Sequence, residues 1–417
     1  MLRRVRQAYD TPERIADVEA RARLLLDAFA LPQKVRPGWR VAITAGSRGI
    51  ADIVPTVRAI AGAVRACGAE PIVVPCMGSH GGATVEGQLA VLSSLGMRED
   101  TVGARIEASM EVEVVARSRF GVPVLVGADL LRADAVVVVN RVKPHTDFHG
   151  DVESGLVKMM AVGMGKDAGA VATHSLTIRH GFPAVLVEHA RHVLANVPVL
   201  CGVAIVENHR DETTLIEVIE PTDIVARERE LLVVARGLMP RLPFEQIDVL
   251  VVDEIGKDIS GTGMDTNVIG RISFCGSPPP ASPSVTRIFV RDLTAGTHGN
   301  ACGIGLADYT TMRLVDRMDR VSTNVNAITA STPEDAKIPI AFATDREALD
   351  ASLTTCGVLE PDELRLVWIP NTLRLQRLVV TEALAADLSG ESAVEVIGEA
   401  FPPPFDARGD LVADWDF

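Results

Sequence analysis

The chain has 417 residues, of which 47% are hydrophobic, so it is long enough for two or three domains and apolar enough to build large cores. Its 41 basic and 55 acidic residues give a net charge of −14, which argues against binding to nucleic acid, because that needs clustered positive charge. The composition therefore excludes wholesale disorder and favours small molecules or other proteins as partners.

Neither the cysteines nor the apolar segments indicate a metal ribbon, a leader or a membrane span. None of the six cysteines stands in a Cys-x-x-Cys pair, so a zinc ribbon or a cysteine-ligated iron–sulfur cluster is not expected. The basic N-terminus lacks the apolar segment of a signal peptide. The most apolar stretch, Val193–Val206, is too short to cross a bilayer. We therefore expect a cytoplasmic protein without a membrane partner.

In the first half of the chain, short β-branched runs alternate with helical patterns, which is typical of an α/β protein with mainly parallel strands. Apolar residues at helical spacing predict helices over Ile53–Cys67 and Phe182–Leu194. The candidate strands are Val41–Thr44, Pro71–Pro75, Val122–Val126, Ala135–Asn140 and Val199–Val206.

The second half repeats the same kind of pattern. The runs Ile247–Val252 and Thr286–Val290 predict buried strands, and the Gly-rich loop Ile255–Arg271 lies between them. We therefore predict two α/β domains with mainly parallel sheets, residues 1–241 and 242–417, and we expect the active site in the cleft between them.

Three of the nine histidines lie in two Gly-rich segments that follow predicted strands, where open α/β sheets bind their ligands, and a fourth, His174, follows the second segment. In the first segment, Cys76–Thr84, glycines flank His80 on a loop that a ligand can approach closely. The alternative is an ordinary turn that happens to contain a histidine. The other five histidines are expected to be structural or solvated.

The second segment runs from Asn140 to Lys166 and is the densest in chemically active residues. His145 and His149 are four apart, which on a helix would place two metal ligands on one face. Because Pro144 and Gly150 disfavour a helix here, the spacing alone does not indicate a zinc site.

Lys158 lies in an otherwise apolar stretch, Gly155–Gly163, and His174 follows it 16 positions later. A buried ammonium is costly, so such a lysine loses its proton, finds a partner or becomes a covalent attachment point. The alternative is a lysine whose apolar stem is buried while its head stays in water. The glycines Gly163 and Gly165 also form a variant of the dinucleotide fingerprint, but without the preceding strand that this motif requires.

Together these residues resemble the nickel-pincer-dependent lactate racemase family. The resemblance rests on the Gly-x-His loop with His80, the Pro-His at His145, the Gly-rich stretch with Lys158, and His174 at 16 positions beyond that lysine. It covers most of the chain and weakens after about residue 300. The loop 254–271 looks like one carried by a divergent branch of the family rather than by the lactate enzymes.

The resemblance implies a cofactor, the nickel-pincer nucleotide (pyridinium-3-thioamide-5-thiocarboxylic acid mononucleotide with nickel), covalently attached at Lys158. Gly165 and Lys166 would help to bind it, and His174 would be the nickel ligand, which agrees with the preference of nickel for imidazole alongside sulfur donors. The implied activity is a 2-hydroxy acid racemase or epimerase. Partners would be the small hydroxy acid and the enzymes that build the cofactor, and a homo-oligomer is compatible with the sequence.

By the same resemblance, His80 and His145 would be the acid and base that handle the substrate's hydroxyl proton, while the α-hydrogen moves as hydride to the cofactor and returns to the opposite face. Arg48 matches a family arginine near the substrate, and a guanidinium can hold a carboxylate through two bonds. The remaining residues expected to contact substrate lie in the second domain and are Lys257, Asp265, Arg271 and Trp368.

Two departures from the family pattern affect the interpretation. The separation of 13 positions between His145 and Lys158 is longer than in the lactate enzymes, so His149 competes with His145 for the second acid/base role. The altered loops argue for a larger 2-hydroxy acid or a sugar acid instead of lactate.

Three other functions stay open on the residues alone. A zinc-dependent hydrolase or lyase would use His145, His149 and His174 as ligands. A nicotinamide-dependent dehydrogenase would bind its cofactor reversibly, and a non-enzymatic cofactor carrier would not need His80. The covalent-lysine hypothesis best explains a lysine in an apolar run beside so many histidines.

Overall fold

The computed structural model describes residues 1–9, 11–274, 277–388 and 393–417. The strands, numbered in chain order, are β1 Leu2–Gln7, β2 Arg40–Ala45, β3 Glu70–Pro75, β4 Arg105–Ile106, β5 Val112–Arg117, β6 Pro123–Gly127, β7 Ala135–Arg141, β8 Val199–Glu207, β9 Thr213–Ile219, β10 Gln246–Ile255, β11 Ser284–Leu293, β12 Tyr309–Thr311, β13 Ile340–Phe342, β14 Leu366–Ile369, β15 Arg377–Thr381 and β16 Val394–Phe401.

The helices are α1 Val18–Ala28, α2 Leu31–Lys34, α3 Ile53–Ala66, α4 Val85–Ser94, α5 Glu99–Val102, α6 Ala128–Leu131, α7 Leu156–Lys158, α8 Lys166–His180, α9 Phe182–Asn196, α10 Ile224–Leu238, α11 Thr266–Ile269, α12 Met312–Arg317, α13 Arg320–Thr329, α14 Asp345–Thr355 and α15 Glu382–Asp387. A π-helical turn, Met159–Gly163, lies between α7 and α8, and 3₁₀ turns occur at Gly81–Ala83, Ile304–Leu306, Pro333–Ala336 and Pro361–Glu363.

The chain divides into two compact units. The first unit comprises Thr11–His145 and His149–Met239, and the second comprises Pro240–Phe417 together with strand β1 and Thr146–Phe148. The sequence analysis placed the N-terminal residues in the first domain. Strand β1 instead pairs antiparallel with β15 and β16, and its buried residues Leu2 and Val5 enter the two apolar clusters of the second unit.

The sheet of the first unit has the strand order β4-β3-β2-β7-β8-β9, in which only the edge strand β9 runs antiparallel to its neighbour. Strands β2 and β7 are almost continuous apolar runs, as expected for parallel strands covered on both faces. Helix α3 connects β2 to β3 and ends at Ala66, and the positive φ of Gly68 allows the amide of Ala69 to reach back to the Val64 carbonyl. The predicted strand Val122–Val126 falls on β6, which pairs with β5 in a separate antiparallel hairpin.

The sheet of the second unit has the order β13-β12-β11-β10-β14-β15-β1-β16, parallel from β13 to β14 and antiparallel beyond. Alternate residues of β10 enter two apolar clusters. Leu250 and Val252 face one cluster, and Val249 and Val251 face the other, so this strand is buried on both sides. The expected α/β class with mostly parallel sheets is therefore confirmed. Among the described residues no helix combines the length and apolarity needed to cross a bilayer.

Candidate active site

The site builds on the carboxyl edge of the first unit's sheet. Strand β2 continues through α3 to β3 on one side, whereas β7 leads to β8 on the other, so the strand order reverses between β2 and β7. Ligands of open α/β sheets bind at such a reversal, beyond the carboxyl ends of the strands. Arg48 follows β2, His80 follows β3 and His145 follows β7, so all three come after strands that end at this edge.

A buried carboxylate shapes the loop that carries His145. Glu153 is fully buried and accepts hydrogen bonds from the backbone amides of His145 and Gly150 and from the guanidinium of Arg236. Burial acts to raise its pKa, but these bonds, together with one from His149, lower it overall. The ionised carboxylate therefore fixes the backbone at His145 through these hydrogen bonds.

Lys158 lies close to His145 because the loop after β7 folds back beside that strand. Lys143 and Ser154 form an antiparallel bridge that brings the loop back beside β7, and the Asn140 side chain then donates to the Gly155 carbonyl at 2.8 Å. Lys158 ends the short helix α7 and is followed by the π-helical turn, in which the Met164 amide bonds to the Met159 carbonyl. Such π turns occur frequently at functional sites.

The side chains of Lys158 and His145 are in contact, with Lys158 Nζ hydrogen-bonded to His145 Nε2. Burial lowers the pKa of His145 well below its ordinary value, and nearby basic side chains lower it further. In order of decreasing effect, these side chains are Lys158, Arg48, His174 and His149. The structure thus brings together residues from the loops after β2 and β7 and from helices α7 and α8, which the sequence analysis singled out.

His174, on helix α8, belongs to the same cluster. Burial and the charge of Lys158 lower its pKa to about 4, so its imidazole is neutral at neutral pH. The ring of Phe182, the first residue of α9, stacks 6.4 Å from that of His145 and meets that of His174 edge-on at 5.8 Å, measured between ring centroids. Two neutral imidazoles, an amine and a guanidinium therefore share one partly apolar environment.

His80 is exposed, and its loop is anchored by hydrogen bonds from a buried side chain of helix α4. The Gln88 side chain donates to the carbonyls of Gly78 and His80, at 3.0 and 3.4 Å. A Cβ on Gly81 would lie 2.4 Å from the backbone carbon of Gly87, so this close approach requires glycine. The acid/base role of His80 stays a prediction.

Gly165 and Lys166, predicted to bind cofactor, have structural explanations. Lys166 is completely buried, and its ammonium contacts Asp129 Oδ2 at 2.8 Å and the Pro75 carbonyl at 2.7 Å. A Cβ on Gly165 would lie 2.8 Å from Gly169 Cα. The glycine pair also follows a helix and a π turn rather than a strand, so this segment is not a dinucleotide fingerprint.

The residues predicted in the second unit also make structural contacts. Asp265 caps α11 by accepting from the Asn267 amide at 2.9 Å, and Lys257 Nζ donates to the Gly261 carbonyl. Arg271 pairs with Asp308 Oδ2 at 2.7 Å and donates to the carbonyls of residues 286 and 306. The buried indole of Trp368 donates to a carboxylate, that of residue 253. Their substrate roles stay predictions, which these contacts do not require.

The donor set bears directly on the metal hypotheses. Within the described ranges, no group of three or more His, Cys, Asp or Glu side chains is arranged to hold a metal ion. The zinc alternative, which needs His145, His149 and His174 to converge, is therefore not favoured. A cofactor that brings its own sulfur and carbon donors needs a single protein ligand, and the neutral imidazole of His174 fits that need. Lys158 fits the attachment point, since acylation would remove one charge from a crowded cationic cluster.

No family model matches the chain, and no curated protein matches it in sequence. Among solved structures, it is similar to the lactate racemase apoprotein from Thermoanaerobacterium thermosaccharolyticum, with 12% identity and a TM-score of 0.55 over 89% of this chain and 98% of that one. The chain has a lactate racemase-like fold. A protein from Thermotoga maritima shares this fold with 13% identity and a TM-score of 0.52, over 85% of this chain and 96% of its own.

Some residues of the candidate site were not predicted from the sequence. Glu153, Phe182 and Glu228 support the cluster from positions that carry no motif. Glu153 could have been suspected, because it lies in the same dense segment as His145 and is the acidic residue nearest to Lys158 in the chain. Phe182 and Glu228 lie in amphipathic helices, where an aromatic residue indicates core packing and a glutamate indicates a solvated face.

Proposed function

We propose that this protein is a racemase or epimerase of a 2-hydroxy acid that carries a nickel-pincer nucleotide on Lys158. The observation that carries the proposal is the convergence of Arg48, His145, Lys158 and His174 within one unit of a lactate racemase-like fold. Lys158 would hold the nucleotide covalently and His174 would ligate its nickel. When bound, the nucleotide supplies reversible acceptance of the substrate's α-hydrogen as hydride.

Arg48 is suited to bind the substrate's carboxylate. It is exposed, and it follows β2, where the strand order of the sheet reverses. A guanidinium can form two parallel hydrogen bonds with a carboxylate, which fixes both its position and its plane.

His145 is suited to remove the hydroxyl proton. Its lowered pKa keeps the imidazole neutral at neutral pH, and acylation of Lys158 would remove the ammonium that Nε2 now contacts, so that Nε2 could accept a proton. Glu153 holds the backbone of His145, and Phe182 covers its ring, so the imidazole has a defined orientation. We propose His80 as the other acid/base, acting on the other enantiomer from the loop after β3, while His149 is the candidate that competes with His145.

The proposal is tested by incubating protein co-expressed with the cofactor-building enzymes with single enantiomers of several 2-hydroxy acids and sugar acids. We expect the opposite configuration to accumulate for at least one acid, without net oxidation. His145→Gln should slow this conversion, whereas the exposed-lysine variant Lys337→Ala should leave it unchanged. Conversion of no acid by protein with fully modified Lys158 would contradict the proposed reaction class.

A further inference from the structure

A second buried carboxylate, that of Glu228 on helix α10, lies beneath the turn that carries Lys158. It is fully buried, and its Oε2 accepts a hydrogen bond from the Val157 amide at 2.8 Å. The Leu156 amide lies close enough to lower the pKa of the same carboxyl group. Its Oε1 is also buried and has no hydrogen-bond partner among the described residues. A carboxylate is costly to bury, so a fold retains one at such a position for a specific reason.

The local backbone is built around this carboxylate. A Cβ on Gly155 would lie 2.4 Å from Glu228 Cδ and 2.5 Å from its Oε2. The φ of Gly155 is 177°, which is open to any residue, so close approach and not backbone conformation requires the glycine. The glycine thus makes room for Glu228 directly before helix α7.

Helix α7 depends on outside partners, because three residues are too few to form a stable helical turn alone. The first amides of the helix have no acceptors within it, and the Glu228 carboxylate accepts a hydrogen bond from one of them, that of Val157. Asn140 holds the Gly155 carbonyl on the other side. Lys158 comes directly after Val157, so these bonds set the direction in which its side chain leaves the backbone.

We infer that Glu228 is a positioning residue, which fixes the turn so that the Lys158 amine faces His145 and His174. This inference rests on the proposed function, in which Lys158 is the attachment point. Glu228 acts through the backbone amides of Leu156 and Val157 and does not itself touch the reacting atoms. Reach and acceptor geometry are therefore its essential properties, and a glutamine in its place keeps one of the two acceptor oxygens.

The test compares Glu228→Leu, Glu228→Gln and Glu228→Asp with a control, Val64→Ala, which removes buried methyl groups from helix α3 elsewhere in the same unit. The first measurement is hydrogen exchange of the Leu156 and Val157 amides in protein made without the cofactor-building enzymes. The second is the fraction of Lys158 that carries a nucleotide-sized adduct after co-expression with those enzymes.

We expect Glu228→Leu and Glu228→Asp to speed exchange at these amides about tenfold and to lower Lys158 occupancy at least about fivefold. Glu228→Gln should keep most of the wild-type amide protection and Lys158 occupancy. Val64→Ala should change neither quantity, although it lowers the unfolding midpoint to a similar extent. Wild-type exchange and occupancy in Glu228→Leu, or an equal loss in the control, would overturn the inference. An unmodified Lys158 in the wild type would count against the proposed function alone, and the exchange rates would still decide the role of Glu228.

Discussion

The two units of this protein end their central parallel strands in polar loops, but the polar side chains of the two loops behave differently. Beyond β10 of the second unit, Asp265 and Arg271 bind backbone groups and an oppositely charged partner. Beyond β7 of the first unit, His145 and Lys158 contact one another, and burial together with the charge of Lys158 lowers the pKa of His145. The first arrangement stabilises a loop, whereas the second places basic side chains against one another.

This difference distinguishes side chains that stabilise the fold from side chains that are expected to take part in the reaction. A residue whose hydrogen-bond donors are all paired within the fold has a structural explanation, while a group of basic side chains with strongly shifted pKa values is typical of a functional site. The first unit contains both kinds. Lys166 forms an ion pair with Asp129 in the core, yet Lys158, eight residues earlier in the chain, lies beside the imidazoles of His145 and His174.

The largest expected effect follows from replacing Lys158. Lys158→Arg keeps the charge but cannot form the amide-type link, so we expect no adduct and a loss of turnover of at least about 10³-fold. Intact mass and enantiomer conversion measure the two outcomes. Lys34→Arg, at an exposed ion pair of the same unit, serves as the control. Retained turnover in Lys158→Arg would contradict the role of Lys158 as the covalent attachment point.

The next effect concerns the base. His145→Gln removes the proton acceptor but leaves Lys158 and His174 in place, so turnover should fall by about 10² to 10⁴-fold while the adduct and bound nickel stay at wild-type levels. Stopped assays of both enantiomers, with metal analysis of the same sample, measure this. An unchanged rate would transfer the role to His149 or His80.

Breaking the buried pair tests the structural interpretation of Lys166. Asp129→Ala leaves an uncompensated ammonium in the core and should cost about 3–5 kcal/mol of unfolding free energy. The double variant Asp129→Ala with Lys166→Met should recover much of that loss, as urea unfolding would show, and should keep the Lys158 adduct. If the double variant is stable but unmodified, Lys166 binds cofactor, as the sequence analysis predicted.

Glu228 should make stability depend on pH in a predictable direction. Burial raises its pKa to about 7, above the ordinary value near 4.5, so between these values the folded state binds the proton more readily than the unfolded state. The stability of the wild type relative to Glu228→Gln should therefore decrease by about 3 kcal/mol as pH rises from 4.5 through 7, and then level off. Urea unfolding of both proteins at pH 5 and 8 measures the change, and an equal difference at both pH values would refute it.

The smallest effect is expected at Arg271. Arg271→Lys loses part of the planar fork that binds Asp308 and three carbonyls, so stability should fall by about 1–2 kcal/mol. Turnover and KM should stay within about twofold of the wild type. A tenfold rise in KM at unchanged stability would instead assign Arg271 to the substrate and blur the distinction between the two loops.

The sequence predicted the parts of this molecule that are encoded locally. The apolar runs of β2, β7 and β10 are visible in any short window, and the histidines and Lys158 stand out because glycines and apolar residues surround them. The convergence of Arg48 with His145 could also be expected, since parallel strands end at one edge.

The supporting residues could not be predicted because long-range packing selects them. Glu228 lies 70 residues beyond Lys158 on a helix with charged neighbours, and nothing in its local pattern distinguishes it from a solvated glutamate. Strand β1 joins the sheet of the second unit through partners almost 400 residues away, which no local pattern encodes. Arg271 was assigned to substrate because its partner, Asp308, lies far along the chain.

The central claim is that the cluster around Lys158 holds a covalent nickel nucleotide. Its most direct test is peptide mass spectrometry of the segment containing Lys158, together with metal analysis, on protein co-expressed with the cofactor-building enzymes. The account predicts a nucleotide-sized adduct on Lys158 with about one nickel per chain, and loss of the nickel in His174→Ala. An unmodified Lys158 in that background, with no bound nickel, would contradict it.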